Sequence, residues 1–151
     1  MIGLLQRVSR ASVEVDGKLV ASIGRGLLVF IGIERGDTET QANRLLQRLL
    51  AYRVFPDEDG RMHRDLRRIR GGLLLVPQFT LPANTRKGNR PSFTPAASPE
   101  EGKRLFTYLC TRAGNLYPET YQGVFGADMQ VALVNDGPVT FWLQVSPDPE
   151  T

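Results

Sequence analysis

The sequence has few of the residues on which disulfides, metal sites and strong catalytic bases depend. Its 151 residues include one cysteine, Cys110, and one histidine, His63. One cysteine cannot form a disulfide within the chain, and one Cys with one His cannot complete a structural zinc site. A chain of about 150 residues buries roughly 70% of its unfolded surface and needs no such support. We predict one domain, 1–146, followed by a frayed tail, 147–151.

Long apolar runs are also missing. The longest aliphatic and aromatic run is Leu27–Ile31, whereas a membrane span needs about 20 residues. Charges at Arg7, Arg10 and Glu14 interrupt the first residues, so the apolar stretch of a secretory signal peptide is missing there. We therefore expect a soluble, cytoplasmic protein with no membrane partner.

Charge is unevenly distributed, although the net charge is only +3. Residues 61–90 contain eight arginine or lysine residues and one acidic residue, Asp65, so that the rest of the chain has a net charge of −4. Such segregation is typical of surfaces that contact phosphates, but a solvated basic face would have the same composition.

Strand and helix patterns alternate along the chain. Apolar residues alternate with polar ones on both sides of Asp16-Gly17, which predicts a β-hairpin after a strand at Ile2–Val8. The continuous apolar run Gly26–Ile33 is typical of a strand buried on both faces. Further strands are predicted at 73–76, 129–134 and 139–145.

Two helices are predicted from their caps and apolar stripes. Asp37 and Thr38 can cap the first, and Ser98 with Pro99 can begin the second, which we expect to end at Gly114. Both have apolar residues at helical spacing, with Cys110 on the core face of the second as an unreactive thiol. The fold class predicted is α+β, a largely antiparallel β-sheet or barrel with two main helices packed on it. The stripes are Ala42, Leu45, Leu46, Leu49 and Leu50, then Leu105, Phe106, Leu109 and Cys110.

Two segments break the strand rules and are candidate sites. Pro77 donates no ladder hydrogen bond, so the sheet must end, bulge or expose an edge there, before a polar loop at 83–93. Residues 135–140 contain Asn-Asp-Gly and predict a turn between two strands. A hydrolytic triad is hard to build, because His63 lies in a charged stretch and is disfavoured as a general base. Catalysis would then depend on backbone amides, hydroxyls or the substrate.

These segments carry a family resemblance. Gln78-Phe79-Thr80-Leu81 and Asn135-Asp136-Gly137-Pro138-Val139-Thr140 resemble the paired motifs of the bacterial D-aminoacyl-tRNA deacylases. The resemblance implies a homodimer, with its active site at the subunit interface, that hydrolyses the ester between a D-amino acid and tRNA without a metal or organic cofactor. It also implies release of glycine mischarged to tRNA. Further matching motifs are at 6–9, 11–13, 26–29, 86–88, 90–93 and 125–131.

The resemblance also assigns roles to residues. It places Gln78, Phe79 and Thr80 at the ester and makes a cis Gly137-Pro138 the chiral gate. The remaining gate and pocket residues are Val139, Thr140, Met129 and Arg7, with Arg7 bracing the gate. Charge, rather than the resemblance, gives one further expectation: the basic residues beside the first motif, Arg86, Lys87 and Arg90, are expected to bind tRNA.

Two departures and two alternatives accompany this hypothesis. Pro77 replaces the serine usual in the family, which removes a hydroxyl and an N–H, and His63 stands where asparagine is expected. In one alternative, Thr80 is a covalent nucleophile, although no base is evident beside it. In the other, the protein is a non-catalytic tRNA- or RNA-binding module that uses the basic segment 61–90.

Overall fold

The computed structural model describes residues 1–147, so the predicted tail lies, except for Pro147, outside the described residues. The main sheet is built around one long strand and carries two long helices, which confirms the predicted α+β class. In chain order the elements are β1 (Ile2–Val15), β2 (Lys18–Ile23), β3 (Gly26–Gly32), α1 (Glu39–Ala51), β4 (Phe55–Pro56), β5 (Met62–Arg64), α2 (Leu66–Ile69), β6 (Gly72–Pro77), α3 (Pro99–Leu116), β7 (Thr120–Gln122) and β8 (Gln130–Gln144).

The sheet is mixed and nearly closed. β1 pairs antiparallel with β8 along one edge, and with β3 and then β2 along the other. β6 joins β3 in parallel, and β7 joins β6 in parallel. Parallel neighbours need a crossover connection, and here α1 and α3 lie in those connections. The predicted strand at Ile2–Val8 and the first hairpin strand are therefore one continuous strand, β1.

The core has two parts that share β3. Leu27, Val29 and Ile31 pack with α1 and α3 on one face, whereas Leu28 packs with β1, β2 and β6 on the other. This two-sided burial is what the apolar run predicted. Among the helices within residues 1–147, none is long and apolar enough to cross a membrane.

The predicted helix starts are confirmed, but one predicted end is wrong. Thr38 and Gln41 form a capping box on α1, and the Ser98 hydroxyl accepts the Glu101 N–H on α3. α3 continues past Gly114 to Leu116. Gly114 has open space around it and an ordinary helical conformation, so it weakens the helix without ending it. The short elements β4, β5, α2 and β7 carry no strong pattern and were not predicted.

The predicted turn at 135–140 is also wrong. β8 is one continuous strand in which Asn135 pairs with Val8 and Thr140 with Gln6. Residues 136–139 therefore stand opposite Arg7 alone and form a wide bulge. The Asn135 carboxamide oxygen accepts the Val139 N–H at 2.7 Å, which closes the bulge locally. Asn-Asp-Gly is thus a true signal for a local bend, but pairing with β1 keeps the strand intact.

Candidate active site

The bulge at 136–139 is called the gate segment, after the role that the family resemblance implies for it, and two side chains, Arg7 and Asn135, hold it. The Gly137–Pro138 peptide bond is cis, and Gly137 has a φ of +148°, which side-chain-bearing residues rarely adopt. Arg7 Nε donates to the carbonyl oxygen of Asp136 at 2.8 Å. The Asn135 carboxamide donates to the Thr140 hydroxyl at 2.9 Å. The gate segment is therefore fixed by side chains rather than by ladder hydrogen bonds.

The bulge determines which backbone groups the Arg7 side chain contacts. It is the β1 residue that the four bulge residues face, and its side chain is only 13% exposed. A second nitrogen of the same guanidinium donates to the carbonyl oxygen of Val54 at 2.7 Å. A planar guanidinium can serve two acceptors at once in fixed directions, which an ammonium does less well. Arg7 thus ties the gate segment to the connection between α1 and β4.

The first predicted motif forms a turn at the end of β6. Pro77 is the last residue of β6, as the strand rules predicted, and Gln78 N–H still donates to Ile31 of β3 at 2.8 Å. Two further backbone bonds close the turn, from Leu81 to Gln78 and from Ala83 to Thr80. The Gln78 side-chain amide donates to the Thr80 hydroxyl. This segment, 78–80, is called the ester turn, after the role that the family resemblance implies for it.

The ester turn presents unused donors. Within residues 1–147, the backbone N–H groups of Phe79 and Thr80 have no acceptor. The Phe79 ring is 63% exposed and contacts Phe93 with ring centroids 5.4 Å apart. Neighbouring free N–H groups can stabilise negative charge on a substrate oxygen. The turn thus has the chemistry expected of an oxyanion site, with an aromatic surface beside it.

Met129 packs near the end of β6, the strand that precedes the ester turn. Its sulfur accepts the Val124 N–H at 3.4 Å. A Cβ on Gly123 would lie 2.9 Å from that sulfur and 3.5 Å from Pro77 Cδ. Gly123 therefore leaves the space in which Met129 sits beside the end of β6. Gly123 was not predicted as a site residue, because the gap it leaves lies between Met129 and the distant Pro77. Asn135 was predicted only as part of the motif at 135–140, with no role of its own.

Within one protomer the gate segment and the ester turn are far apart. The order β8, β1, β3, β6 places two strands between them, or about 14 Å across the sheet. Arg7 is level with Leu27, whereas Pro77 is level with Ile31, which adds about 13 Å along the strands. No hydrogen bond or ion pair of the described chain joins the two segments. A single copy does not form one site from both motifs.

The predicted tRNA-binding residues lie on the loop that follows the ester turn. Asn84 and Ser92 exchange backbone hydrogen bonds of 2.8 and 3.0 Å and close the base of this loop. Arg86, Lys87 and Arg90 project from it as exposed side chains. None of the three forms an ion pair with a residue in the range 1–147. The loop therefore carries three available cations next to the ester turn.

Two further titratable side chains, His63 and Cys110, were considered in the sequence analysis. His63 is 57% exposed and its Nδ1 lies 3.0 Å from an Asp57 carboxylate oxygen. Cys110 is buried on α3, and burial raises the pKa of its thiol to about 12. No three His, Cys, Asp or Glu side chains of the described chain are grouped as metal ligands. Neither His63 nor Cys110 is bonded to Thr80.

Comparison with known proteins supplies the class. A family model described as D-Tyr-tRNA(Tyr) deacylase matches residues 4–144. The D-aminoacyl-tRNA deacylase of Alkalilimnicola ehrlichii is 63% identical over 147 residues, covering 97% of this chain and 98% of that protein. The protein of the same name from Dichelobacter nodosus is 61% identical over 145 residues, covering 96% of this chain and all of that protein.

Solved structures agree on the fold. The structure of a protein named c-Myc DNA Unwinding Element Binding Protein matches with a TM-score of 0.92 and 36% identity. The match covers 97% of this chain and all of the other. A second, of a probable eukaryotic D-amino acid tRNA deacylase, has a TM-score of 0.83 over 95% of this chain and 98% of the other; at 17% identity it bears on the fold alone.

The family match and the curated relatives therefore define the protein as a hydrolase. The chain is a member of the D-Tyr-tRNA(Tyr) deacylase family, with the match running from β1 to the end of β8. The family resemblance predicted from the motifs is confirmed.

Proposed function

We propose that this protein hydrolyses the ester joining a D-amino acid to the 3′-terminal ribose of tRNA, releasing free D-amino acid and tRNA. Glycine mischarged to tRNA would be a second substrate. The observation that carries the proposal is the ester turn: two unpaired backbone donors at the end of β6, in a chain of this family. Its cellular place would be the cytoplasm, where charged tRNA is used.

The reaction needs little beyond aligned donors. Water adds to the ester carbonyl, the bond from the carbonyl carbon to the ribose oxygen breaks, and that oxygen takes up a proton. Negative charge on the carbonyl oxygen would be stabilised by the N–H groups of Phe79 and Thr80, each contributing about 3 kcal/mol. Gln78 would orient the Thr80 hydroxyl, and the vicinal 2′-hydroxyl of the substrate can assist proton transfer. An aminoacyl ester is already activated, so a strong base is not required.

Chirality would be enforced by the gate segment. The carbonyl oxygens of Gly137 and Pro138 can accept from the α-ammonium group, while the backbone fills the space that an L side chain needs. Arg7 and Asn135 hold this backbone in place, and Val139 and Thr140 complete the segment. Rejection by a clash requires such rigidity, because a backbone that yields admits the competitor. Glycine has no side chain and would pass.

A second copy of the chain would bring the two motifs together. The separation within one protomer means that the ester turn lacks a gate segment of its own. β8 pairs only with β1 in the part of the chain described, so its other edge is open. That strand also exposes Val134, Phe141 and Trp142, the last by 51%. An open 15-residue edge with apolar side chains favours association with another strand, and we propose a homodimer.

The test is deacylation of matched D- and L-tyrosyl-tRNA by purified protein, with sedimentation to give the oligomeric state. We expect release of D-tyrosine, retention of the L-ester and a dimer. Release of both enantiomers would contradict the gate, and a fully active monomer would contradict the shared site.

A non-catalytic nucleic-acid-binding function is the second candidate. The basic segment 61–90 favours it, as does the name of the 36% identical structural neighbour. The same assay separates the two, because a binding module would retain tRNA without releasing the amino acid.

A further inference from the structure

We propose that a groove between the end of α1 and α2 binds backbone phosphates of the tRNA acceptor stem. This second contact is separate from the 86–90 loop, and it rests on the proposed function. The groove is a shallow depression, open to solvent, with a volume of about 560 Å³. It is lined by Arg53, His63, Arg64, Asp65, Arg67 and Arg68 and is called the arginine groove.

The arginine groove is assembled from two segments that the fold holds together. Arg53 follows α1, two residues before the buried Phe55, and Phe55 pairs with Arg64 across β4 and β5. Arg67 and Arg68 belong to α2, which is anchored by the buried Leu66. The cations thus lie at fixed places on one surface.

Most of these cations have no carboxylate partner. Arg64 pairs with Glu58, and the Asp65 carboxylate accepts the Arg68 N–H at 2.9 Å as the cap of α2. The guanidinium groups of Arg53, Arg67 and Arg68 form no ion pair anywhere in residues 1–147. Three exposed, uncompensated guanidinium groups create a positive potential that favours phosphate.

The form of the groove favours a nucleic-acid backbone over a single small anion. All three unpaired arginines are exposed, so a lone phosphate would remain hydrated and gain little. A nucleic-acid backbone that contacts several arginines at once gains more binding free energy, because each phosphate contact releases condensed counterions. A guanidinium group can also donate two parallel hydrogen bonds to two oxygens of one phosphate.

The arginine groove adjoins the gate segment through one side chain. Val54, next to Arg53, accepts a hydrogen bond from Arg7, and Arg7 also holds Asp136 of the gate segment. In this proposal the phosphates of the acceptor stem lie in the groove and its single-stranded 3′ end extends to the gate segment. The groove would position the substrate rather than take part in the chemistry.

The test compares two charge-matched double variants of the full chain. Arg67→Gln with Arg68→Gln removes two groove cations, and Lys18→Gln with Lys103→Gln removes two exposed cations elsewhere. Binding of uncharged tRNA is measured over a range of salt concentrations, with thermal melting as the check of folding. The slope of log K against log salt is negative. For the groove variant we expect its magnitude to decrease by about 1.4–1.8, which is 0.7–0.9 for each of the two lost phosphate contacts. The slope of the control variant should stay closer to that of the wild type than the slope of the groove variant does.

Three outcomes would overturn the proposal. One is a groove variant that folds and shows the wild-type slope. Another is an equal loss in both variants, which would mean a diffuse effect of net charge. In the third, inorganic phosphate titrated at constant ionic strength binds the wild type but not the groove variant, while both proteins bind tRNA equally well. The groove would then be a small-anion site. Because uncharged tRNA is the probe, failure of D-ester hydrolysis by wild type would refute the proposed function without deciding the groove.

Discussion

Arg7 and Asp136 are joined by a hydrogen bond of 2.8 Å from the guanidinium Nε to the backbone carbonyl oxygen. The same side chain donates at 2.7 Å to Val54. One residue of β1 thus connects the bulge in β8 to the segment that follows α1. Loss of either bond would leave the gate segment less fixed.

The first prediction concerns this connection. Arg7→Lys keeps the charge but cannot serve both carbonyl oxygens with the same geometry. A hydrogen bond to a charged group contributes about 1.5–3 kcal/mol, so we expect kcat/KM on D-aminoacyl-tRNA to fall by roughly 10- to 100-fold. Arg10→Lys, an exposed position on the same strand, is the control. Wild-type kinetics and wild-type discrimination in Arg7→Lys would show that the gate needs no brace.

The second prediction uses glycine. In Gly137→Ala the new Cβ would lie 2.6 Å from Val139 Cγ2 and 2.9 Å from the Val139 backbone nitrogen. The φ of +148° is also unfavourable for alanine, so the gate segment must shift. We expect D-ester hydrolysis to fall at least tenfold, measured alongside L-ester release. Gly114→Ala is the control: it has open space in α3, so activity should persist and stability should rise by about 1 kcal/mol.

Local signals were enough for much of the fold. Asp16-Gly17 predicted its hairpin, Thr38 and Ser98 predicted helix starts, and the apolar run at β3 predicted two-sided burial. The bulge at 136–139 could not be recognised in the same way, because its Asn-Asp-Gly run also favours a hairpin turn. Only the register with β1 distinguishes the two. The close approach of Gly26 to Gly72, where a Cβ would lie 1.9 Å from a carbonyl oxygen, is likewise a property of strand pairing.

Part of the candidate site could likewise be predicted from the sequence, and part could not. The motif predicts roles for Gln78, Phe79 and Thr80. Pro77 predicted that the sheet ends, bulges or exposes an edge there, and β6 ends at that residue. Gly123 was missed, and Asn135 was known only as part of the motif at 135–140, because the gap beside Met129 and the bond to Val139 arise only in the folded chain. The separation of the two motifs within one protomer was also beyond the sequence, because it depends on strand order.

The third prediction distinguishes the two hydrolytic mechanisms. Thr80→Ala removes a hydroxyl whose described partner is the Gln78 amide, a donor and not a base. It leaves the backbone N–H in place, so we expect a loss of tenfold or less in kcat. Acid-quenched reactions should contain no acyl-enzyme by mass spectrometry. Near-complete inactivation, with an adduct on Thr80 of the wild type, would instead favour the covalent mechanism.

The fourth prediction concerns stability. The ammonium group of Met1 is buried and bonds to Asp37 at 2.9 Å, to Glu34 at 2.9 Å and to the Val145 carbonyl oxygen at 2.7 Å. Asp37→Ala removes its buried partner, which should lower the free energy of unfolding by about 3–5 kcal/mol in urea denaturation. Asp59→Ala, an exposed acid, should change it far less. Equal effects of the two would mean that the ammonium finds enough compensation in Glu34.

The last prediction concerns Cys110 and pH. Burial raises the pKa of its thiol from 9.0 to about 12, so native protein at pH 8 should hold only about one thiolate in 10⁴. Iodoacetamide should therefore modify native Cys110 far more slowly than the unfolded chain. The raised pKa also has a consequence for stability, because the unfolded thiol loses its proton near pH 9 while the folded thiol retains it. Between pH 9 and 12 the free energy of unfolding should fall, by at most about 1.4 kcal/mol per pH unit from this group. Tyrosines titrate in the same range, so the measurement is the difference between wild type and Cys110→Ala. Parallel curves for the two proteins above pH 9 would show that Cys110 ionises as readily in the folded chain as in the unfolded one.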